Sequence, residues 1–181
     1  MSEDRSSLVL PEADFVVVSG GQTGVDQAAL DAAQQCGLPV CGWCPAGRRS
    51  EDGTISADYP LQETPSSNYR VRTEWNVRDS DGTLIVALGE VSGGTGLTIR
   101  LARQYQRPLQ VVRLLQSGKR DTANGKLPDD VVAWIRDHRI RVLNVAGPRG
   151  SSDERVYPMA HTFCAAVFGQ LAGREATDLA S

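Results

Sequence analysis

The sequence predicts an α/β fold in which helices cover both faces of a mostly parallel sheet of about five or more strands. Two observations predict it. Short apolar runs rich in β-branched residues alternate with segments whose apolar positions recur at helical spacing. Glycine-rich turns at residues 20–24, 93–96 and 147–150 follow three of the runs, as is typical at the carboxyl ends of parallel strands. This alternation of strand and helix builds a three-layer sandwich.

Each predicted strand is a short apolar run. The first, Phe15 to Val18, is continuous and leads directly into a glycine turn, which is typical of a buried strand. The second is weaker as a strand because it contains Pro39 and Gly42. The predicted strands lie at residues 15–18, 38–43, 83–88, 109–115 and 140–146.

The predicted helices follow the strands. Small apolar residues from Val25 to Cys36 recur at helical spacing, and Gly37 follows as a left-handed cap. A later helix begins with Pro128 and two aspartates, a favourable first turn, after a polar turn carrying Gly118, Asn124 and Gly125. Its predicted core stripe is Val131, Trp134, Ile135 and His138. The predicted helices lie at residues 25–36, 69–79, 97–105, 128–138 and 156–171, and the second carries Arg70, Arg72, Glu74 and Arg78 on its predicted surface.

Length and charge exclude several classes of protein. The 181 residues fit one domain, which we expect at 15–171 between an N-terminal tail, 1–14, and a C-terminal tail, 172–181. The net charge of −3 and the lack of a basic block argue against nucleic-acid binding. The sequence has no apolar run of about 18 residues and no signal-peptide pattern, so we expect a cytoplasmic protein that does not interact with membranes.

Two of the glycine turns predict an anion site. Glycine lets backbone N–H groups approach a ligand closely, and the helix that follows presents its positive dipole end. Thr23 and Thr95 each add a hydroxyl to these turns. Neither turn has the Walker or the dinucleotide-binding spacing, which argues against ATP hydrolysis and standard NAD binding.

Charged residues accompany the predicted turns. Asp26 lies in the first turn of its helix, where it either complements the dipole or holds a cation or a sugar hydroxyl. Arg48 and Arg49 lie in a long segment without periodicity, residues 45–68, of the kind that is functional or disordered. Arg149 follows the last strand at the same predicted sheet edge, and arginines there suit phosphate and other oxyanions.

The four cysteines are expected to be reduced thiols. Cys41 and Cys44 have CxxC spacing, but a second pair is missing and Cys41 lies at a strand end. His138 and His161 fall on apolar helix faces, where packed histidines are commoner than metal ligands. The sequence therefore predicts neither a catalytic metal nor a catalytic residue.

Several motifs in order carry a family resemblance. They are SGGQTGVDQAALDAA (19–33), GWCPAGRRSEDG (42–53), YPLQETPSSNYRVRTEWNVRDSDGTLI (59–85), GGTGLT (93–98) and LNVAGPR (143–149). Across residues 15 to 170 the chain resembles the family named "putative molybdenum carrier", whose wider relatives are circularly permuted members of the SLOG group of Rossmann-like nucleotide-binding proteins. The resemblance implies an oligomeric Rossmann-like protein that binds the molybdenum cofactor, a molybdopterin with a terminal phosphate, with the phosphate near residues 93–96.

A comparison within the wider group leaves an enzyme alternative open. SLOG phosphoribohydrolases have a PGGxGTxxE turn whose glutamate assists cleavage of an N-glycosidic bond, and this chain resembles them from Ser92 to Arg100. Arg100 occupies the glutamate position, and a guanidinium is no general base at neutral pH. Glu90 lies nearby as a substitute. Departures from the carrier pattern are Cys41 in place of glycine and Gln27 in place of arginine, and the second lowers the positive charge near the first turn.

The expected function is to bind and carry or protect a phosphorylated pterin in the cytoplasm. The alternative is a nucleotide-binding SLOG-type enzyme or sensor, such as a nucleoside monophosphate phosphoribohydrolase. The expected partners are the small molecule, molybdoenzymes that receive the cofactor, and further copies of the chain in a dimer or tetramer. The candidate ligand-binding residues are Gly20, Gly21, Gln22, Thr23, Gly24, Asp26, Arg48, Arg49, Ser92, Gly93, Gly94, Thr95, Gly96, Arg100 and Arg149.

Overall fold

The computed structural model of the protein describes residues 6–91, 93–114 and 127–173. Ser92 and the predicted turn with Gly118, Asn124 and Gly125 lie outside these ranges. The helices are α1 (Val25–Gln35), α2 (Tyr69–Arg78), α3 (Gly93–Gln104), α4 (Pro128–Asp137) and α5 (Val156–Leu171). The strands are β1 (Val16–Val18), β2 (Val40–Cys41), β3 (Trp43–Cys44), β4 (Arg49–Ser50), β5 (Gly53–Thr54), β6 (Gln62–Glu63), β7 (Gly82–Leu88), β8 (Leu109–Leu114) and β9 (Val142–Ala146).

The central sheet confirms the predicted α/β sandwich. Its five strands run parallel in the order β2, β1, β9, β7, β8. Strand β9, the last in sequence, lies at the centre, where Leu143 is in register with Val17 of β1 and with Gly82 of β7. All five of its residues are buried, which explains why it is a continuous apolar run apart from Asn144.

Alternate strand residues supply the cores on the two faces of the sheet. Val17, Leu84 and Leu143 pack in the large cluster with α1, α4 and α5. Their neighbours Val16 and Ile85 pack in the smaller clusters, with Trp43 and with Ile99 of α3 respectively. Helix α2 packs against α3 and β3. The period of two along each strand therefore builds a three-layer sandwich.

The predicted strand at 38–43 is wrong in one respect, because the chain turns out of the sheet at its end. Val40 and Cys41 pair with β1, whereas Trp43 and Cys44 pair in parallel with Gln62 and Glu63 of β6. The bend lies at Gly42, which has φ +150° and is so close to Ser19 that a Cβ would overlap its carbonyl oxygen. Glycine tolerates both the backbone angle and the approach.

One arginine organises the long segment at 45–68. The Arg48 guanidinium donates to the carbonyl oxygens of Ile55, Ser56, Tyr59 and Leu61 at 2.5–3.1 Å. The β4–β5 hairpin and strand β6 lie in the same segment. This segment therefore has a defined conformation around a half-buried cation.

Two predicted assignments of burial are wrong. In α4 the buried residues are Val131, Val132 and Ile135, whereas His138 is exposed at the end of the helix, with Nδ1 2.9 Å from the Trp134 carbonyl oxygen. In α2 the Arg72 side chain is only 13% exposed. Arg72 lies inside the molecule because it pairs with a buried carboxylate.

The N-terminal segment contacts the domain. Leu8 is 8% exposed, and its N–H donates to Asp79 Oδ2 at 3.2 Å. The carbonyl of Ser6 accepts from Arg78 at 2.7 Å. The first described residues of the expected tail are therefore held against the rest of the fold. Within the three described ranges, no helix combines the length and apolar character needed to cross a membrane.

Candidate functional site

A cleft lies at the carboxyl ends of β1, β7 and β9, and its volume is about 420 Å³. From β1 the chain continues through α1 to β2 on one side of the sheet, and from β7 it continues through α3 to β8 on the other. The connections diverge here, which is where open α/β sheets bind ligands. The lining includes Gln22, Asp26, Tyr69, Arg70, Arg72, Thr73, Glu90, Gly93, Gly94, Thr95, Leu97, Thr98, Arg149, Ser151 and Asp153.

The glycine turn at the start of α3 opens into the cleft. Gly93 and Gly94 are exposed, and apart from chain neighbours and the backbone of α3 itself no described heavy atom lies within 4 Å of a Cβ built on either residue. Thr95, 6% exposed, lines the cleft beside them. Helix α3 begins at Gly93, so the backbone N–H groups of its first turn lie at this wall. Gly96 and Arg100 do not line the cleft, and Arg100 is exposed.

The glycine turn after β1 is closed by its own packing. A Cβ at Gly24 would lie 2.5 Å from the Pro148 carbonyl oxygen, and one at Gly21 would lie 2.6 Å from Leu61 Cδ1. The Thr23 hydroxyl accepts from the Gly150 N–H at 3.0 Å and donates to Glu51. The two turns are therefore not equivalent. Of the first turn and its helix, Gln22 and Asp26 reach the cleft lining.

Asp26 and Arg72 form an ion pair in the cleft wall. Arg72 Nη1 lies 3.0 Å from Asp26 Oδ2, and the two side chains are 13% and 5% exposed, respectively. Burial raises the pKa of Asp26, although the charge and hydrogen bond of Arg72 and the N–H groups of Gln22 and Gly20 oppose the rise. A Cβ at Gly20 would overlap Arg72 Nη1, so only glycine leaves room for this guanidinium.

Gln22 has an amide whose orientation is determined by its neighbours. Its Oε1 accepts from the N–H groups of Thr23 at 3.0 Å and Glu51 at 3.1 Å. Two donors around one atom identify that atom as the oxygen. Nε2 is then a buried donor, and neither it nor Arg72 Nε has a partner among the described residues.

Glu51 connects the long segment to the turn after β9. Its carboxylate accepts from the N–H and hydroxyl of Ser151 at 3.0 and 2.6 Å and lies 3.6 Å from Arg149 Nη1. Burial would raise the pKa of Glu51, but the hydrogen bonds from Ser151 and Thr23 and the charge of Arg149 lower it. Arg149 also lines the cleft, and its charge is partly neutralised by Glu51.

A cation and an anion lie at the mouth of the cleft. Arg70, in the first turn of α2, and Glu90, after β7, are both exposed lining residues. Within the described ranges, no ion pair involves either side chain. Arg48 and Arg49 do not contribute to the lining.

Comparison with known proteins agrees with this fold. The chain matches the circularly permutated YpsA SLOG family over residues 17–168. It belongs to that family.

A solved structure resembles this YpsA SLOG family member over most of both chains. It is a crystal structure from Syntrophus aciditrophicus SB, described as "Putative molybdenum carrier protein", with a TM-score of 0.75 and 41% sequence identity. The match covers 86% of this chain and 95% of the other. No curated protein matches the chain.

Sequence reasoning missed Arg70 and Arg72 as cleft residues of this SLOG protein. Helix α2 has few apolar positions, and its buried residues are Thr73, Asn76 and Val77. Arg72 lies on the same face, four positions before Asn76. Polar residues at helical spacing in a helix that must cover a sheet are a signal for buried polar contacts.

The cysteines of this family member are buried. Burial raises the pKa of the Cys41 thiol to about 12. Among the described residues no group of three or more His, Cys, Asp or Glu side chains is arranged to hold a metal. The CxxC spacing joins one residue of the central sheet, Cys41, to one of strand β3, Cys44.

Proposed function

We propose that this protein binds a phosphorylated pterin, the molybdenum cofactor, and carries or protects it in the cytoplasm. One observation carries the proposal. The cleft at the divergence of the sheet has an open glycine turn at one wall and, at another, buried donors without a partner among the described residues. The name of the relative from Syntrophus aciditrophicus supports the choice of cargo.

The terminal phosphate is assigned to the start of α3. Gly93 and Gly94 have no side chain to cover the N–H groups of this turn, and a helix N-terminus favours an anion. Arg70 lies in the lining at the first turn of α2, and α2 packs against α3. Because no ion pair holds Arg70 within the described ranges, its guanidinium is available for a bidentate contact with phosphate.

The other candidate ligand-binding residues differ in whether they line the cleft, support its lining or lie outside it. Gln22, Asp26 and Arg149 stay in the proposed binding set because they line the cleft. Gly20, Gly21, Thr23 and Gly24 support the set by allowing close packing behind it. Arg48 belongs to the support of the long segment, and Arg49, Gly96 and Arg100 are left out of the set.

Retention of the released cofactor tests this function. Purified protein is incubated without oxygen with cofactor released from a molybdoenzyme, and the mixture is separated by gel filtration. We expect molybdenum and pterin to elute with the protein in equal molar amounts, the pterin being measured by its fluorescence after oxidation. An excess of inorganic phosphate should weaken the retention of both. Elution of the protein with neither molybdenum nor pterin rejects the proposal. The same column measures whether the protein is the expected dimer or tetramer.

The phosphoribohydrolase alternative depends on Glu90. This carboxylate lines the cleft as Gly93 and Gly94 do, so it has access to a nucleotide held there. Release of free base from a panel of nucleoside monophosphates, abolished in Glu90→Ala, would establish this activity. Equal rates in the two proteins would show that Glu90 takes no part in the release.

A further inference from the structure

We infer that Gln22 and Arg72 recognise the 4-oxo group of the pteridine ring, at a subsite separate from the phosphate site at α3. The assignment rests on the proposed function, because it names the part of the ligand that the inner wall of the same cleft binds. Its basis is a pair of buried donors that the described part of the chain does not satisfy.

The first donor is Gln22 Nε2. Gln22 is 5% exposed and lines the cleft. Its Oε1 is already held by the N–H groups of Thr23 and Glu51, so the amide cannot turn to hide Nε2 without losing both hydrogen bonds. An unsatisfied buried donor is costly, and such groups in native proteins call for an explanation. A ligand acceptor supplies one.

The second donor is Arg72 Nε. The guanidinium is confined by Gly20 on one side and by Asp26 at 3.0 Å, and Nη1 is the atom that bonds the carboxylate. The backbone N–H of Gln22 donates to the same oxygen, Asp26 Oδ2, at 3.3 Å. The backbone of Gln22 and the guanidinium of Arg72 therefore share one carboxylate oxygen, and both residues line the cleft around it.

Charge decides the class of acceptor. Arg72 and Asp26 cancel, and Gln22 is neutral, so this end of the cleft carries no surplus positive charge. A phosphate here would add a second anion beside Asp26 with a single cation between them, which is unfavourable in a buried site. A neutral carbonyl accepts both hydrogen bonds without that cost. In a pterin the 4-oxo group also stands next to a ring N–H, for which the Asp26 carboxylate is an acceptor.

Two fluorescent probes that differ in one ring substituent test the assignment. They are the phosphate esters of 6-hydroxymethylpterin and of 2,4-diamino-6-hydroxymethylpteridine, in which an amino donor replaces the 4-oxo acceptor. We expect wild-type protein to bind the 4-oxo probe about tenfold or more tightly than the diamino probe. Equal affinities overturn the assignment.

Gln22→Glu makes the test specific. The carboxylate keeps an acceptor for the Thr23 and Glu51 N–H groups but removes the donor, so the preference should shift about tenfold or more toward the diamino probe. Gln34→Glu, exposed on α1, makes the same charge change outside the lining and should leave the ratio unchanged. Arg72→Lys keeps a cation for Asp26 without Nε and should also reduce the preference for the 4-oxo probe. A folded Gln22→Glu protein with the wild-type ratio overturns the assignment.

The outcome separates the subsite from the carrier function. Wild-type protein that retains molybdenum cofactor but binds the two probes equally overturns the subsite and leaves the carrier function supported. Wild-type protein that prefers the 4-oxo probe but retains no cofactor rejects the carrier function and supports the ring assignment.

Discussion

Arg72 Nη1 lies 3.0 Å from Asp26 Oδ2, joining helix α2 to the first turn of α1 across the wall of the cleft. The contact brings together residues 46 positions apart in sequence. It holds the guanidinium against Gly20, while Nε has no partner in the described part of the chain. A buried ion pair of this kind adds little net stability, because the cost of desolvating both charges offsets their attraction, whereas removal of one partner is strongly destabilising.

A double-mutant cycle measures the interaction energy between Asp26 and Arg72. Asp26→Asn leaves the Arg72 cation, 13% exposed, without its carboxylate and should lower the free energy of unfolding by about 3 kcal/mol. Arg72→Met leaves a buried carboxylate and should destabilise similarly. The double variant should be closer to wild type than the sum of the two, as urea unfolding followed by circular dichroism will measure. Strictly additive losses would mean that the two side chains do not interact.

Gly94→Val should reduce cofactor retention about tenfold or more and leave the fold intact. Apart from chain neighbours and the backbone of α3 itself, no described atom lies within 4 Å of the new Cβ, so the side chain has space but covers the N–H groups of the proposed phosphate site. Gel filtration with molybdenum analysis measures retention, and thermal unfolding measures the fold. Ala133→Val, exposed on α4, introduces the same side chain away from the cleft and should retain cofactor. Normal retention by Gly94→Val would remove this turn from the site.

Local patterns in the sequence predict most of the sandwich. Strands β7 (Gly82–Leu88) and β9 (Val142–Ala146) are largely apolar runs whose residues are buried along almost their whole length, so their composition alone identifies them. The departure of β3 from the sheet has only a weak local signal, the glycine at position 42. It depends on the close approach of Gly42 to Ser19, which only the folded chain brings together.

The candidate site is predictable only in part. The open turn at the start of α3 has a local signal in its glycines, although the helix begins at Gly93 and not after the turn as the sequence predicts. The burial of Arg72 has only a weak local signal, the polar helix face that it shares with Asn76, and nothing local identifies its partner Asp26, which lies far away in sequence. The same holds for Arg48, whose four carbonyl partners are brought together by the path of the long segment.

Arg48→Ala should destabilise the protein far more than Arg49→Ala. Removing the Arg48 guanidinium leaves four carbonyl oxygens without their donor, for a loss of about 2–3 kcal/mol in the free energy of unfolding. Arg49 is exposed, so its loss should stay within about 0.5 kcal/mol. Urea unfolding measures the stability of both variants, and the rate of proteolytic cleavage within residues 45–68 measures how well each variant holds this segment. Equal stability of the two variants would contradict the role of Arg48.

The carboxylate of Asp79 should contribute stability that disappears in acid. It accepts from Trp43 Nε1 at 2.8 Å and from Arg78 Nε at 2.6 Å. Burial would raise its pKa, but these hydrogen bonds and the Arg78 charge lower it below the ordinary 3.8. For a lowered pKa, the stabilisation is fully present above 3.8 and is lost as the pH falls through the folded-state value.

Asp79→Asn should therefore lower the free energy of unfolding by about 1–2 kcal/mol at pH 7, and this difference from wild type should shrink at about pH 3. Tryptophan fluorescence during urea unfolding measures it at each pH. Asp137→Asn, exposed at the end of α4, should differ little from wild type throughout. A cost for Asp79→Asn that is constant with pH would show that the charge of Asp79 is not involved.

The four cysteines should resist alkylation in the native protein at about pH 8. All four are buried, and burial raises the pKa of Cys41 and of Cys164 to about 12, so the reactive thiolate is scarce. Mass spectrometry after iodoacetamide treatment should show no label on the folded chain and four labels in urea. Selective labelling of Cys41 or Cys44 in the folded protein would contradict this environment and would favour a redox role for the CxxC spacing, because a redox cysteine needs an accessible thiolate.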